Sequence, residues 1–380
     1  MSSLQTGATI GIIGGGQLGR MSAMAAARLG FKVHIYSDTV PSPAAEVADA
    51  CTIASYDDEN SLESFARNCD VITFEFENIS LKGLKALERY CPVAPSSHIL
   101  ETSQDRITEK QSLSRAGIPV APWKALYCKD DLITLYEFGL PCIVKTARLG
   151  YDGKGQYRLS DKSDLEALLA HADALSYPLV AEHIVDFERE ISVMVVRNAS
   201  GLCQCYDPAE NHHKDGILRV SLAPAPIMPE LARQAQELAL NIADQLKLVG
   251  IMGVEMFHDA QGQLIINEIA PRPHNSGHWT MDGCAISQFE MHIRAVAGLP
   301  LPSTRRHSDV IMHNLIGPQD MALVPRIMEE DECCLHLYGK KEAKTGRKMG
   351  HVNRLFPRGG LPGKLVTSHL IPVFPDFSQV

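Results

Sequence analysis

The 380-residue chain has no long apolar run: nothing approaches the roughly 20 consecutive apolar residues of a membrane-spanning helix. It also lacks the basic stretch and apolar core of a secretory leader, since it begins "MSSLQTGATIGIIG". No C-x-x-C pair occurs, and none of the ten cysteines stands with histidines at a zinc spacing. Cys203/Cys205 and Cys333/Cys334 are too close for a metal framework, so we take them as reduced thiols of a cytoplasmic protein. Basic residues number 36 against 45 acidic ones, a net charge of −9. That balance excludes a protein that binds duplex nucleic acid by neutralising its phosphates. Small phosphorylated ligands stay possible through local basic groups. Repeats and low-complexity tracts are absent as well. The 45% apolar and 21% charged residues suit a globular chain long enough for two or three domains.

What is present begins with "ATIGIIGGGQLGRMSAMAAARLGFKVHIYSD". Gly14, Gly16 and Gly19 follow a short apolar run, and Asp38 comes roughly twenty residues later, as in a dinucleotide fingerprint. Either NAD binds here, or the glycines let the first strand turn tightly into a helix whose free amides suit another anion. No second βαβαβ half follows, which weighs against a dehydrogenase. Up to about residue 103, "TIGIIG", "FKVHIYS", "ACTIAS" and "DVITFEF" alternate with helical pattern and predict a parallel sheet. "VAPSSHILETSQDRITEKQSLSRAGIPVAP" predicts a helix stopped by Gly117 and Pro119. Beyond it, "PCIVKTARLGYDGKGQYRLS" and "YPLVAEHIVDFEREISVMVVR" read as hairpins. "PELARQAQELALNIADQLKLVG" is an amphipathic helix, and another hairpin follows at about 250–269. The final segment, rich in Pro/Gly turns, reads as a small closing domain.

Four stretches carry chemistry. In "KTARLGYDGKGQ", Lys145 ends a strand, and Gly150, Gly153 and Gly155 punctuate a loop with Arg148 and Lys154. This is either a phosphate nest or an ordinary glycine-rich hairpin. "AEHIVDFEREISV" offers Glu182 and Glu190 either to a nucleoside or to solvent. "GVEMFHDAQGQLIINEIAPR" predicts a hairpin with Glu255 opposite Ile266 and Glu268 as the diagonal neighbour of Glu255 on one apolar face. Two carboxylates there are costly without a cation, and magnesium suits them; an exposed pair at a sheet edge is the other reading. Asn267 reaches that face only through a bulge or strand end. Arg106 and Lys110, four apart on a helix, are a solvated face or a phosphate site.

Taken together, these stretches resemble the ATP-grasp superfamily, and within it the 5-(carboxyamino)imidazole ribonucleotide synthases. "GGGQLGRM", "TFEFEN", "KTARLGYDGKGQ", "ENHHKDGILR", "INEIAPRPHNSGHWT" and "YGKKEAKTGRKMGH" come in that family's order. The resemblance implies an α/β and α+β fold: a Rossmann-like pre-ATP-grasp domain (1–103), an ATP-grasp domain (104–300, lid about 124–185) and a small β-rich C-terminal domain (301–380). It implies ATP contacts from Arg106, Lys145, Gly150, Tyr151, Asp152, Gly153, Lys154, Gly155 and Gln156. Further ATP contacts are implied for Glu182, His183, Ile184, Val185, Glu190, His213, Asn267 and Glu268. Magnesium, two ions, would sit on Glu255 and Glu268 beside Asn267. The aminoimidazole ribonucleotide would meet Gln17, Leu18, Glu75, Tyr151, Asp152, Lys154, Arg272, His274, Asn275 and Ser276. Lys340, chosen over Lys341 by its spacing to Arg347, would clamp the phosphate with Arg347.

The same resemblance implies a homodimer that uses ATP and bicarbonate, and neither NAD, biotin nor zinc. Lys145 would neutralise phosphate charge, Arg272 would hold bicarbonate, and His274 or Asp152 would handle the amine proton. His278 and Trp279 are either packing residues or part of the substrate loop. Three rivals are a formate-dependent glycinamide ribonucleotide transformylase, an NAD-dependent oxidoreductase and a non-catalytic nucleotide-binding regulator.

Overall fold

The short β-rich runs of the N-terminal segment become four parallel strands, β1 (Thr9–Ile13), β2 (Lys32–Ser37), β3 (Ala50–Ile53) and β4 (Val71–Phe74), in the order β3-β2-β1-β4. They belong to a computed structural model that describes residues 3–148 and 155–361. Strand neighbours point to opposite faces. Ile10 and Ile12 accordingly pack with α1 (Gln17–Arg28), and Ile13 with α2 (Glu59–Ala66) and α3 (Leu81–Leu87).

The segment expected as one helix is two, α4 (Ser97–Ser103) and α5 (Arg106–Arg115). Asp105 makes the break. Its carboxylate accepts from the amides of Ile107 and Thr108 at 3.0 and 3.1 Å, which suits a helix cap better than a helix interior. The second helix ends as expected before Gly117, which takes a left-handed φ of 70°.

Two antiparallel sheets follow. The smaller has the order β5-β8-β6-β7, from β5 (Trp123–Leu126), β6 (Cys142–Thr146), β7 (Gln156–Leu159) and β8 (Leu179–His183). The larger contains β9 (Phe187–Arg197), β10 (Cys203–Cys205), β11 (Ala209–Lys214), β12 (Ile217–Ala223), β13 (Gly250–Asp259) and β14 (Leu264–Ala270). It continues through β15 (Ser308–Ile316), β16 (Cys333–Leu337) and β17 (Lys348–Pro357), in the order β14-β13-β9-β11-β12-β15-β17-β16 with β10 beside β9.

"YPLVAEHIVDFEREISVMVVR" is therefore not a hairpin. Its first strand, β8, pairs with β5 and β6, whereas β9 pairs with β13 and β11 in the other sheet. A local pattern announces strands but not their partners, and here residues 184–186 cross from one sheet to the other. The strands of the expected closing domain likewise extend the large sheet through β12 and β15. The helix Pro229–Gln245 buries Ala235, Ala239, Ile242 and Ala243 against that sheet. The helix Gln288–Val296 joins it to the N-terminal unit: Phe289 and Ile293 share the core around α1, and His292 bonds Thr73 at 2.8 Å.

Candidate active site

A cleft of about 850 Å³ runs between the two antiparallel sheets to the N-terminus of α1. At that end the amides of Gly16 and Gly19 donate to the carboxylate of Glu75, the latter at 2.6 Å. Glu75 follows β4, so the chain's own carboxylate takes the seat that a pyrophosphate would need at this helix N-terminus. The glycines serve this approach: a Cβ on Gly16 would stand 2.6 Å from Glu75 Oε1. Burial pushes the Glu75 carboxyl above the usual range, against the pull of the two amides.

The cations gather in the middle of the cleft. Lys145, at the end of β6, lies 3.0 Å from Glu182 Oε1 on β8, and Lys110 of α5 lies 3.0 Å from Glu182 Oε2. Burial lowers Lys145. Burial also raises Glu182, but the two lysines outweigh it and hold the carboxyl below its ordinary value. Lys110 is 1% exposed and also donates to the Asn267 carbonyl at 2.9 Å. The solvated face considered for Arg106 and Lys110 is therefore replaced by a buried one, and the neighbouring Glu109 is buried too. Burial pushes Glu109 up to about 8.

On the large sheet Glu255 pairs directly with Glu268, and Met256 with Ile266. The register thus differs from the expected pairing of Glu255 with Ile266. Asn267 is the extra residue of a β-bulge, the irregularity that a regular hairpin excluded. Arg106 Nη1 reaches Glu268 Oε2 at 3.0 Å. Burial and the facing Glu268 push Glu255 up to about 7. Burial acts the same way on Glu268, but Arg106 outweighs it and the carboxyl lies below its usual value. Oxygen donors only, with one carboxylate strained by the other, suit a hard divalent cation. Farther along, His213 Nδ1 stands 2.7 Å from Glu190 Oε2, and Phe187 stacks on Phe257 with centroids 4.6 Å apart.

The substrate-loop residues occupy the end nearest α1. Arg272 Nε lies 3.2 Å from Glu77 Oε1. His274 Nε2 lies 3.4 Å from Glu255, and its Nδ1 lies 2.8 Å from Ser276 Oγ. Ser276 is wholly buried in a chain of hydrogen bonds: Ser221 donates to Asn211, Asn211 to Ser192 and Ser192 to Ser276. The Ser276 backbone amide also donates to His274 Nδ1, at 3.4 Å, which makes Nδ1 the accepting nitrogen and Nε2 the protonated one of the neutral ring. Neither amide atom of the Asn275 side chain has a hydrogen-bond partner among the described residues, although both are buried.

Gln17, Leu18, Glu75, Arg106, Lys145, Gln156, Glu182, His183, Ile184 and Val185 all line this cleft. So do Glu190, His213, Glu255, Asn267, Glu268, Arg272, His274 and Asn275. Gly155, Ser276, Lys340 and Arg347 are not among its walls. Lys340 donates to the carbonyl of Lys348 at 2.8 Å, and Lys348 is the cation that lines the cleft there. Gly150, Tyr151, Asp152, Gly153 and Lys154 lie outside the described residues. Sequence reasoning offered Lys110 only as a solvated or phosphate-binding lysine, and it missed Glu77 and Lys348. Glu77 lies in the "TFEFEN" stretch, two residues beyond Glu75, and was legible there. Lys348 looks like an ordinary surface lysine. His278 is buried, stacked on His351 at 4.5 Å, and its Nδ1 meets Gln288 at 3.0 Å. Trp279 is buried beside Tyr206.

Two sheets around a cation-and-carboxylate cleft define an ATP-grasp enzyme. The ATP-grasp domain family matches residues 111–289, the ribonucleotide synthetase preATP-grasp domain 7–104, and the phosphoribosylaminoimidazole carboxylase C-terminal domain 310–358. The chain is 51% identical over 358 residues to the N5-carboxyaminoimidazole ribonucleotide synthase of Brucella melitensis, covering 94% of this chain and 99% of that one. A solved ADP complex of an N5-carboxyaminoimidazole ribonucleotide synthetase is similar with a TM-score of 0.90 and 44% identity, covering 94% of each chain. The Aspergillus clavatus enzyme, solved with ADP and 5-aminoimidazole ribonucleotide, gives 0.86 and 32%, covering 93% of this chain and 94% of that one. The chain belongs to the N5-carboxyaminoimidazole ribonucleotide synthase family, the ATP-grasp ligases of purine biosynthesis.

Proposed function

We propose that the chain carboxylates the 5-amino group of 5-aminoimidazole ribonucleotide, using ATP and bicarbonate and releasing ADP and phosphate. The observation that carries this reading is the cleft in which Lys145, Arg106, Glu255 and Glu268 adjoin Arg272, His274 and the buried amide of Asn275, which has no partner among the described residues. An orphaned amide is costly unless a ligand completes it. The family's ribonucleotide supplies such polar groups.

Bicarbonate is a poor electrophile, and transfer of the γ-phosphoryl group to one of its oxygens makes carboxyphosphate. Phosphoryl transfer asks mainly for positioning and charge neutralisation. Lys145 and Arg106 supply the cations. Glu255 and Glu268 would hold magnesium, which when bound neutralises phosphate charge. Arg272, steered by Glu77, is the candidate for bicarbonate. His274, with Nδ1 engaged by Ser276, serves as an Nε2–H donor, and this leaves Asp152 for the amine proton. Lys340 and Arg347, with Lys348, form the basic end for the ribonucleotide phosphate. The family resemblance further supports a cytoplasmic homodimer.

The test is ADP release from magnesium-ATP and bicarbonate with and without the ribonucleotide. Dependence on the ribonucleotide is expected. Activity only with glycinamide ribonucleotide and formate would move the function to the neighbouring ligase. Glu268→Gln should abolish turnover while sparing ribonucleotide binding measured by calorimetry.

A further inference from the structure

Lys110 connects elements that the nucleotide reading treats separately. Its ammonium is buried, with two acceptors: Glu182 Oε2 on β8 of the small sheet at 3.0 Å and the Asn267 carbonyl on β14 of the large sheet at 2.9 Å. Its own backbone belongs to α5, which begins at Arg106. Each acceptor is significant by itself. Glu182 holds Lys145 with its other oxygen, also at 3.0 Å. Asn267 is the bulged residue that brings Glu268 opposite Glu255. A bulge leaves one residue outside the ladder, so its carbonyl needs another donor.

We infer that Lys110 is a positioning residue. It ties the phosphate-facing lysine of one sheet to the carboxylate pair of the other, and so sets the span that a metal–nucleotide complex must bridge. The inference rests on the nucleotide and metal reading of the cleft, and concerns a residue that need touch neither ligand. With Lys110 shortened to an apolar side chain, Glu182 would hold Lys145 alone, and the Asn267 carbonyl would lose its lysine donor. The bulge could then relax toward the regular pairing, carrying Glu268 away from Glu255.

The experiment measures ADP binding by calorimetry with and without Mn2+, and Mn2+ binding by electron paramagnetic resonance with and without ADP. The proteins are the full chain, Lys110→Met, Lys110→Arg and the double variant Lys110→Met/Glu182→Gln. The decisive quantity is the factor by which Mn2+ tightens ADP. Groups supporting metal ligands typically change metal affinity roughly ten- to a hundredfold, so this factor should fall by about that much in Lys110→Met. Lys110→Arg, which keeps charge and donors, should restore most of it. The double variant removes the carboxylate stranded by the first change and guards against simple misfolding. It should still lose the factor, because Asn267 remains unserved. A folded Lys110→Met or double variant with the parent's factor would overturn the inference. So would a loss of ADP affinity that is equal with and without Mn2+, the mark of a direct phosphate contact. If the parent chain binds no Mn2+–ADP, the nucleotide reading itself fails, which is a separate outcome.

Discussion

Single residues decide the chemistry at both ends of the cleft. Glu75 makes the opening glycine turn an internal contact, because its carboxylate already satisfies the amides of Gly16 and Gly19. Glu75→Gln puts an amide donor against one of those donors. An unsatisfied buried group costs about 1–3 kcal/mol, so the urea midpoint should drop accordingly. NADH fluorescence should stay unchanged on mixing with the parent protein, and a shift would revive the dinucleotide site. At the basic end, burial and then Arg347 push Lys340 down to about 8 from its ordinary 10.5. Between those values the unfolded chain binds the extra proton, so this group's contribution to stability rises with pH. Phosphate binding runs the other way, since Lys340 loses its charge as pH rises through about 8. Ribonucleotide affinity should therefore weaken across that range in calorimetric titrations, while Lys340→Arg removes the Lys340-dependent part of the decline. A parent and variant with identical profiles would remove Lys340 from the phosphate site.

At the scale of elements, the hairpin β13–β14 shows how one extra residue sets a site. A strand's side chains alternate faces, so a one-residue slip sends the following residue to the opposite face. The bulge at Asn267 lets Glu268 face Glu255 while Ile266 and Met256 stay in the core. Deleting Asn267 should leave a regular ladder that keeps Ile266 opposite Met256 and Glu268 opposite Glu255. The expected result is a folded protein, by circular dichroism, that still binds Mn2+ in the presence of ADP. Lost binding would show that the site needs the bulge itself and not only the opposed pairing. The break between α4 and α5 has a similar local cause, as Asp105 caps the second helix and thereby starts it at Arg106.

The whole molecule is joined by shared cores rather than assembled from separable parts. Residues from α1, the helix Gln288–Val296 and Tyr338 meet in one apolar cluster. β15 lies between β12 and β17 within the large sheet. A chain ending at residue 307 would lose β15–β17, expose the edge of β12 and uncover the apolar residues that β15 buries. Such an edge is a template for aggregation. This truncation should be insoluble or protease-sensitive, with no ADP binding; a stable, ADP-binding fragment would make the C-terminal strands an appendage.

The parallel N-terminal unit, the helix after residue 228 and the hairpin bearing Glu255 and Glu268 were legible because periodicity and turn residues act over a few neighbours. Family motifs carried the reading further, to the residues of the cleft. Other features depended on distant contacts. Nothing near Glu75 says that it will fill the first helix's N-terminus, or near Lys110 that a surface-like lysine will be buried between the Glu182 carboxylate of one sheet and the Asn267 carbonyl of the other. β8 and β9 read alike, yet they part into different sheets because each finds its pairing partner far along the chain. The sequence by itself determined which local elements form and which chemistry they carry. Only the tertiary structure decided which charges meet, because burial and long-range pairing bring them together.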